Sequence, residues 1–324
     1  MSRPFRVTVP DLAFVGEDLR RPECVAATAR GLVHVSDARG GITTIRADGG
    51  MSRLLGRGVG DFLPNGFSLL PDGGYAVANL GPDGGAWRLA PDGALTPEVL
   101  EVDGWRLPPT NFVHHDRTSG EDRLWISVST RHVPRELAFD RRVADGVIVL
   151  KDRRGARVVV DDLGFANEAK VSPDGRHLYV NETVARRLSR FPIRADASLG
   201  PRETVAGFAD GIFPDGFEFD AEDGIWIASV VSNRLVRVAP GGAQEVILDD
   251  SDPQVVAAAE TAWAEGRLGR AEIDGGRAGT LGNLASVTFG GPGLRTVYLG
   301  SLFATRLATF ASPIAGAEPP HWHY

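Results

Sequence analysis

Cysteine is nearly absent from this chain of 324 residues: Cys24 is the only one. A single thiol excludes an intramolecular disulfide and any cysteine metal cluster. An excess of basic charge is also missing. There are 42 acidic against 35 basic residues, a formal net charge of −7, which argues against nucleic acid as a partner because phosphate binding needs a basic face. No run of about eighteen apolar residues occurs. The opening residues, MSRPFRVTVPDLAF, carry neither a long apolar stretch nor a small-residue cleavage pattern. A cytoplasmic protein with no membrane partner is therefore expected, and nothing in the sequence fixes an oligomeric state. The GxSxG nucleophile elbow is absent as well, and Cys24 has no evident base beside it, which argues against a Ser or Cys nucleophile.

What the chain does have is a large apolar fraction, 43%, with 24% charged residues, enough to bury a substantial core. Its 40 glycines and 21 prolines are scattered at turns, which favours many short strands with tight connections. A repeat runs through it. PECVAATARGLVHVSD (22–37), PNGFSLLPDGGYAVAN (64–79), TNFVHHDRTSGEDRLWIS (110–127), ANEAKVSPDGRHLYVN (166–181), PDGFEFDAEDGIWIAS (214–229) and LASVTFGGPGLRTVYLG (284–300) share one design. Each opens on a small or polar residue, then shows a short apolar strand, a Gly- or Asp-rich turn and a second alternating strand. Asp-Gly and Gly-Gly suit the positive φ of tight hairpins. Glu23, Asn65, Asn111, Asn167, Asp215 and Ser286 mark the repeats at spacings of 42, 46, 56, 48 and 71, mostly near the length of a four-stranded propeller blade. The sequence predicts an all-β, six-bladed β-propeller, a single domain over 1–324, with extra material in the third and fifth blades.

One segment breaks the β pattern. SDPQVVAAAETAWAEGRLG (251–269) offers Asp252 as an N-cap, Pro253 at the first helical position and Gly266 as a terminator, so a helix is expected near 252–266. Val255, Val256, Ala259 and Trp263 share one face. Such a helix is either a lid over the channel or a surface helix packed on blade five.

The polar openings carry the chemistry. Inner strands of all blades line one axis, so Glu23, Asn111, Asn167 and Asp215 converge there as oxygen donors. That set suits a hard divalent cation: calcium first, with magnesium, manganese or zinc as alternatives. Asn65 is a turn residue or a substrate contact. If alternation continues from Asn111, His115 shares its side and His114 faces away, which makes His115 a candidate substrate or base residue. Glu168 either lines the pocket or forms an outward ion pair. Arg131 and His132, in TRHVPRELAFDRR (130–142), are candidates for a channel rim. Cys24 reads as a small buried residue, Trp125 and Trp226 as core, and His321 and His323 as part of a last strand or tail.

The chain resembles the family of gluconolactonase, regucalcin (senescence marker protein) and related lactone hydrolases. The resemblance spans essentially the whole chain and is most specific at Glu23, FANEAKVSPDGRHLYVNET, FPDGFEFDAEDGIWIAS and ASVTFGGPGLRTVYLGSL. It implies one catalytic divalent metal on the axis, held by Glu23, Asn167 and Asp215, with Asn111 as ligand or substrate contact. It also implies Asp215 as the acceptor of a water proton and a small sugar-derived or hydroxy-acid lactone as substrate. The neighbours of these residues depart from the family's usual EGP, NDG and PNG and read ECV, NFV and NEA. An arylesterase or phosphotriesterase on the same site, and a non-enzymatic calcium-binding propeller, are the rival readings.

Overall fold

The computed structural model describes residues 5–324. Among them are six four-stranded antiparallel sheets, arranged as the blades of a propeller. The inner strands are Val25–Ala27, Pro64–Leu69, Phe112–Asp116, Ala166–Val171, Ile212–Phe219 and Leu284–Gly290. Blade six is completed from the other end of the chain: Ala13–Val15 pairs with Leu307–Ala311 as the outermost strand. That pairing closes the ring and leaves no open seam between first and last blades.

The Gly-rich turns work as their composition implies. Gly73, Gly93 and Gly175 hold φ of +83°, +88° and +72° at the ends of hairpins. In AEDG it is Asp223, at φ +60°, that takes the left-handed position, a conformation Asp tolerates better than most residues. Between blades the core is built from second strands. Trp125 and Trp226 are fully buried, and Trp226 meets Phe289 edge-on with ring centroids 5.1 Å apart, joining blades five and six. Removing either tryptophan would open a large cavity, at a cost of about 3–5 kcal/mol.

Two insertions rise at the same end of the channel. In blade three, residues 130–145 form a loop whose ends are tied by Asp145: Oδ1 accepts from Thr130 Oγ1 (2.6 Å) and Oδ2 from the Arg131 amide (3.0 Å). After blade five comes helix α1, Pro253–Ala264, capped by Asp252 Oδ1 accepting from the Gln254 amide at 2.7 Å and ended by Gly266 at φ +70°. A short α2, Arg270–Ile273, follows. Helix α1 is anchored firmly rather than hung as a flap. Trp263 Nε1 donates to Val184 O at 2.8 Å, and Glu260 accepts both Arg186 terminal nitrogens at 2.6 and 2.9 Å. It therefore packs on the tops of blades four and five and holds α2 over the channel mouth.

Candidate metal centre and active site

β-bulges place the axial residues. In blade two Pro64 pairs with Asn79 and Phe67 with Val77, so Asn65 and Gly66 share one partner position. The same shift falls on Asn167–Glu168 and on Asp215–Gly216. In blade three Asn111 donates its amide to Ser127 O (3.0 Å), although Phe112 is the residue paired with Ser127. A bulge adds one residue and re-aims a side chain. It also inverts the alternation of everything after it. Two polar residues can therefore open a buried strand: one points into the axial pocket and its neighbour faces the channel below.

That inversion corrects the expectation for His115. It is His114 that faces the channel, beside Phe112 and Lys170. His115 turns into the groove between blades two and three, where Nε2 meets Asp122 Oδ1 at 3.0 Å. It stands away from the axial pocket. Glu168 is ion-paired, as one alternative had it, but inward: its Oε2 lies 3.1 Å from Lys170 Nζ and accepts from the Phe217 amide at 3.1 Å. It lies below the pocket and reaches it only through its field. Lys170 is also 3.2 Å from Glu218; burial pushes its pKa down, but the two carboxylates outweigh that and raise it.

Glu23, Asn111, Asn167 and Asp215 do come together. They line a cavity of about 50 Å³ at the mouth end of the axis, with Phe139, Phe165 and Ile273 on its walls. Asn111 Nδ2 donates to Asn167 Oδ1 at 2.6 Å, and Asn167 Nδ2 donates to Thr183 Oγ1 at 3.0 Å. Thr183 in turn donates to Pro214 O (2.7 Å), and Asn181 Nδ2 holds Asp215 O (2.8 Å), so blade four fixes the backbone that carries Asp215. Asn65 is buried behind this set and outside the cavity. Its Nδ2 donates to Glu23 Oε1 at 2.9 Å and to Asn111 O at 2.8 Å. It orients Glu23 and does not line the cavity.

Three arginines line the cavity that the sequence reading did not single out. Arg21, at φ +50°, pairs with Glu23 Oε2 and donates to Asn65 Oδ1 at 2.6 Å. Arg135, from the blade-three loop, donates from Nη2 to Asn111 Oδ1 at 3.1 Å and to Ser129 Oγ at 3.2 Å. Arg270, from α2, reaches across to Glu136 Oε1 at 2.6 Å, linking the two insertions over the mouth. The expected rim residues do less: Arg131 stacks on Trp105 at 4.4 Å, and His132 lies 3.6 Å from Asp145. No sequence signal separated Arg135 from Arg131, since both sit in an insertion with no counterpart in the other blades.

The electrostatics are unbalanced around Asp215. Its carboxylate is buried and has no hydrogen-bond or ion-pair partner among the described residues; only its backbone oxygen is engaged. Burial, with Glu23 and Glu168 nearby, raises its pKa well above the usual carboxylate range despite Arg21 and Arg135. Burial and Arg270 push Arg135 down to about 10, against the pull of Glu23 and Asp215. A divalent cation fits this donor set, two carboxylates and two amide oxygens, and would relieve the repulsion that now raises Asp215. It would have to displace Arg21 from Glu23, Arg135 from Asn111 and the Asn111 amide from Asn167. No group of three or more His, Cys, Asp or Glu side chains among the described residues forms a metal cluster, so any metal here depends on the asparagine oxygens.

The remaining residues fall outside the pocket. Cys24 is buried against Phe67, and burial raises its thiol pKa further. A separate cavity of about 110 Å³ lies below the axial residues, lined by Cys24, Phe112, His114, Lys170, Glu218 and His321. The C-terminal tail closes it: His321 is inside, while His323 is exposed and lies 3.1 Å from Glu318. Among the described residues no helix is long and apolar enough to cross a membrane.

A six-bladed propeller with an oxygen-rich axial pocket defines the class of this molecule. Within that class, residues 22–249 match the SMP-30/Gluconolactonase/LRE-like region, and the chain belongs to that family. It is 27% identical to the 6-deoxy-6-sulfogluconolactonase of Pseudomonas putida over 246 residues, 75% of this chain and 70% of that protein. A local match to the STRICTOSIDINE SYNTHASE-LIKE 4 protein of Arabidopsis thaliana, 35% identical, spans 24% of this chain and 20% of the other. Two solved structures share the fold. Regucalcin of Agrobacterium tumefaciens, a calcium-binding protein, superposes with a TM-score of 0.69 at 17% identity, covering 99% of this chain and 100% of that one. A gluconolactonase of Xanthomonas campestris gives 0.68 at 18% identity, covering 94% and 89%.

Proposed function

We propose that this protein is a divalent-metal-dependent hydrolase that opens a small, sugar-derived or hydroxy-acid lactone at the axial pocket. Membership of the lactonase family supports the reaction class. The buried, unpartnered Asp215 carboxylate opposite Glu23 is the observation that carries the metal site. Glu23, Asn111, Asn167 and Asp215 would hold the cation, with calcium the first candidate on the likeness to regucalcin. When bound, such a cation supplies Lewis acidity toward a carbonyl and a more acidic water.

The chain's own residues do the rest. Asp215, ionised, accepts a proton from the water that adds to the lactone carbonyl carbon. The ring C–O bond then breaks, the departing oxygen takes a proton, and a hydroxy acid is released with one water consumed. Asn65 keeps Glu23 oriented, and Thr183 keeps Asn167 oriented. Phe139, Phe165 and Ile273 limit water at the mouth, which strengthens every charge interaction inside.

The test is metal analysis of the purified protein with lactonase assays after EDTA treatment and add-back of calcium, magnesium, manganese or zinc. Activity lost with the metal and restored by one ion, but not in Asp215→Ala, is the expected result. Protein that turns over lactones equally well in EDTA would sink the metal assignment. A stoichiometric cation without turnover of any lactone or aryl ester would sink the hydrolase.

A further inference from the structure

We infer that the pocket is built for a lactone carrying a second, anionic group, a carboxylate or a sulfonate, and that Arg135 is its seat. The inference rests on the lactonase reading and deepens it by naming the substrate class. Of the three arginines that line the cavity, Arg21 is paired with Glu23 and Arg270 with Glu136. Arg135 has no carboxylate within ion-pair distance among the described residues. Its Nε is buried without a hydrogen-bond partner, and Nη1 makes no hydrogen bond among the described residues. Its guanidinium lies 4.9 Å over the Phe165 ring, which fixes its plane while leaving its donors free.

Arg135 is half-buried, but its Nε is buried outright without a partner, which is costly unless something completes it. Among the described residues the carboxylates lining the cavity are Glu23 and Asp215, and those are the charges a divalent cation would consume. With a cation loaded, Arg135 is left uncompensated beside the site. A planar fork of N–H donors suits a carboxylate or sulfonate better than a hydroxyl. Before a cation enters, Arg135 is one hydrogen bond from Asn111, so an anion held there stands beside the axial site, where a bound cation would meet the lactone carbonyl.

The experiment uses the metal-loaded protein and three matched lactones of one hexose: neutral, 6-carboxylate and 6-sulfonate. The expected result is a kcat/KM for at least one anionic lactone ten- to a hundredfold above the neutral one, the range of a charged hydrogen bond. In Arg135→Gln that ratio should fall at least tenfold, chiefly through KM, and Arg135→Lys should retain part of it. Equal kcat/KM for all three in the wild type, or a ratio unmoved in R135Q, would overturn the inference. The two anionic arms decide between carboxylate and sulfonate.

Binding separates this inference from the hydrolase reading. Calorimetry with methyl glucuronoside, methyl 6-deoxy-6-sulfoglucoside and methyl glucoside needs no turnover. Binding of either anion, lost in R135Q and absent for the neutral glycoside, would uphold the anion seat even if no lactone were hydrolysed. Lactone turnover with no anion preference in either assay would uphold the hydrolase and sink the seat.

Discussion

Asn65 Nδ2 lies 2.9 Å from Glu23 Oε1 and, with its second hydrogen, 2.8 Å from Asn111 O, so one buried amide ties blade one to blade three behind the pocket. Its Oδ1 accepts from Arg21 at 2.6 Å, which satisfies the whole side chain. Glu23 is thus aimed by a residue that never enters the cavity, the role that outer partners play at metal sites generally.

Asn65→Leu should therefore weaken cation binding about 10- to 100-fold, as loss of such a partner typically does. It should also cost about 1–3 kcal/mol of stability, because Glu23 and the Asn111 carbonyl lose a buried donor. Metal titration by calorimetry and thermal melts in EDTA measure the two separately. An unchanged cation affinity would mean that Glu23 needs no bracket or binds no metal.

Asp215→Asn should raise the melting temperature of the metal-free protein while abolishing cation binding. The sign follows from the raised pKa of Asp215. Below its ordinary value near 3.8, folded and unfolded chains are both protonated and the group contributes nothing. As pH rises past that value, the unfolded chain ionises first and native stability drops; the penalty is complete above the folded pKa. The gain in D215N should be absent near pH 3.5 and grow toward neutrality. Saturating cation should reverse the order by stabilising only the wild type. A D215N that melts lower in EDTA at neutral pH would contradict the unpaired carboxylate.

Arg21 competes for the same carboxylate oxygen a cation would use. Arg21→Gln removes that competitor and leaves Glu23 and Asp215 facing each other, so cation affinity should rise about tenfold, the effect of roughly one pKa unit of altered charge interaction. Calorimetric titration in low salt checks it. Weaker binding in R21Q would assign Arg21 the job of positioning Glu23.

The six blades were legible because their turns repeat a chemistry: PDGG, SPDG and AEDG each join the first two strands of a blade, and APDG joins the last two strands of blade two. The helix near 252–266 was legible for a similar reason, through Asp252, Pro253 and Gly266. The bulges were not. Nothing in NFVHHD says that Asn111 and Phe112 share one partner, and that single residue turned His115 out of the channel and His114 into it. Arg21, Arg135 and Arg270 were hidden for another reason. They come from the segment before blade one and from insertions without a repeat, so no spacing pointed them at the axis. Convergent polar openings could be read from periodicity; what surrounds them depends on loops, whose paths are set by tertiary contacts such as Glu136 with Arg270.

The lower channel holds His114 and His321, and His34 lies in the wall of blade one against Tyr75. His34, His114 and His321 are held neutral, with burial lowering their pKa values to about 4, 4 and 3, and Lys170 adds to the effect at His114 and His321. Each has an Nε2 that is buried without a partner. In the unfolded chain these imidazoles take up protons near pH 6.5, while the native protein resists. Stability is therefore complete above about pH 6.5 and is lost as pH falls from there toward 4. The carboxylates held low by arginines, such as Asp152, titrate in the unfolded chain only near the bottom of that window. Thermal melts at fixed ionic strength from pH 8 to 4 should fall steeply below 6.5 in the wild type. His114→Leu combined with His321→Phe should flatten the slope, each substitution removing on the order of 1–3 kcal/mol of pH-dependent stability. Because His321 reaches the channel from the C-terminal tail, proteolysis of the tail at pH 5 should be faster than at pH 7.5 in the wild type and pH-independent in H321F. A tail cleaved at the same rate at both pH values in the wild type would show that these histidines do not govern its seating.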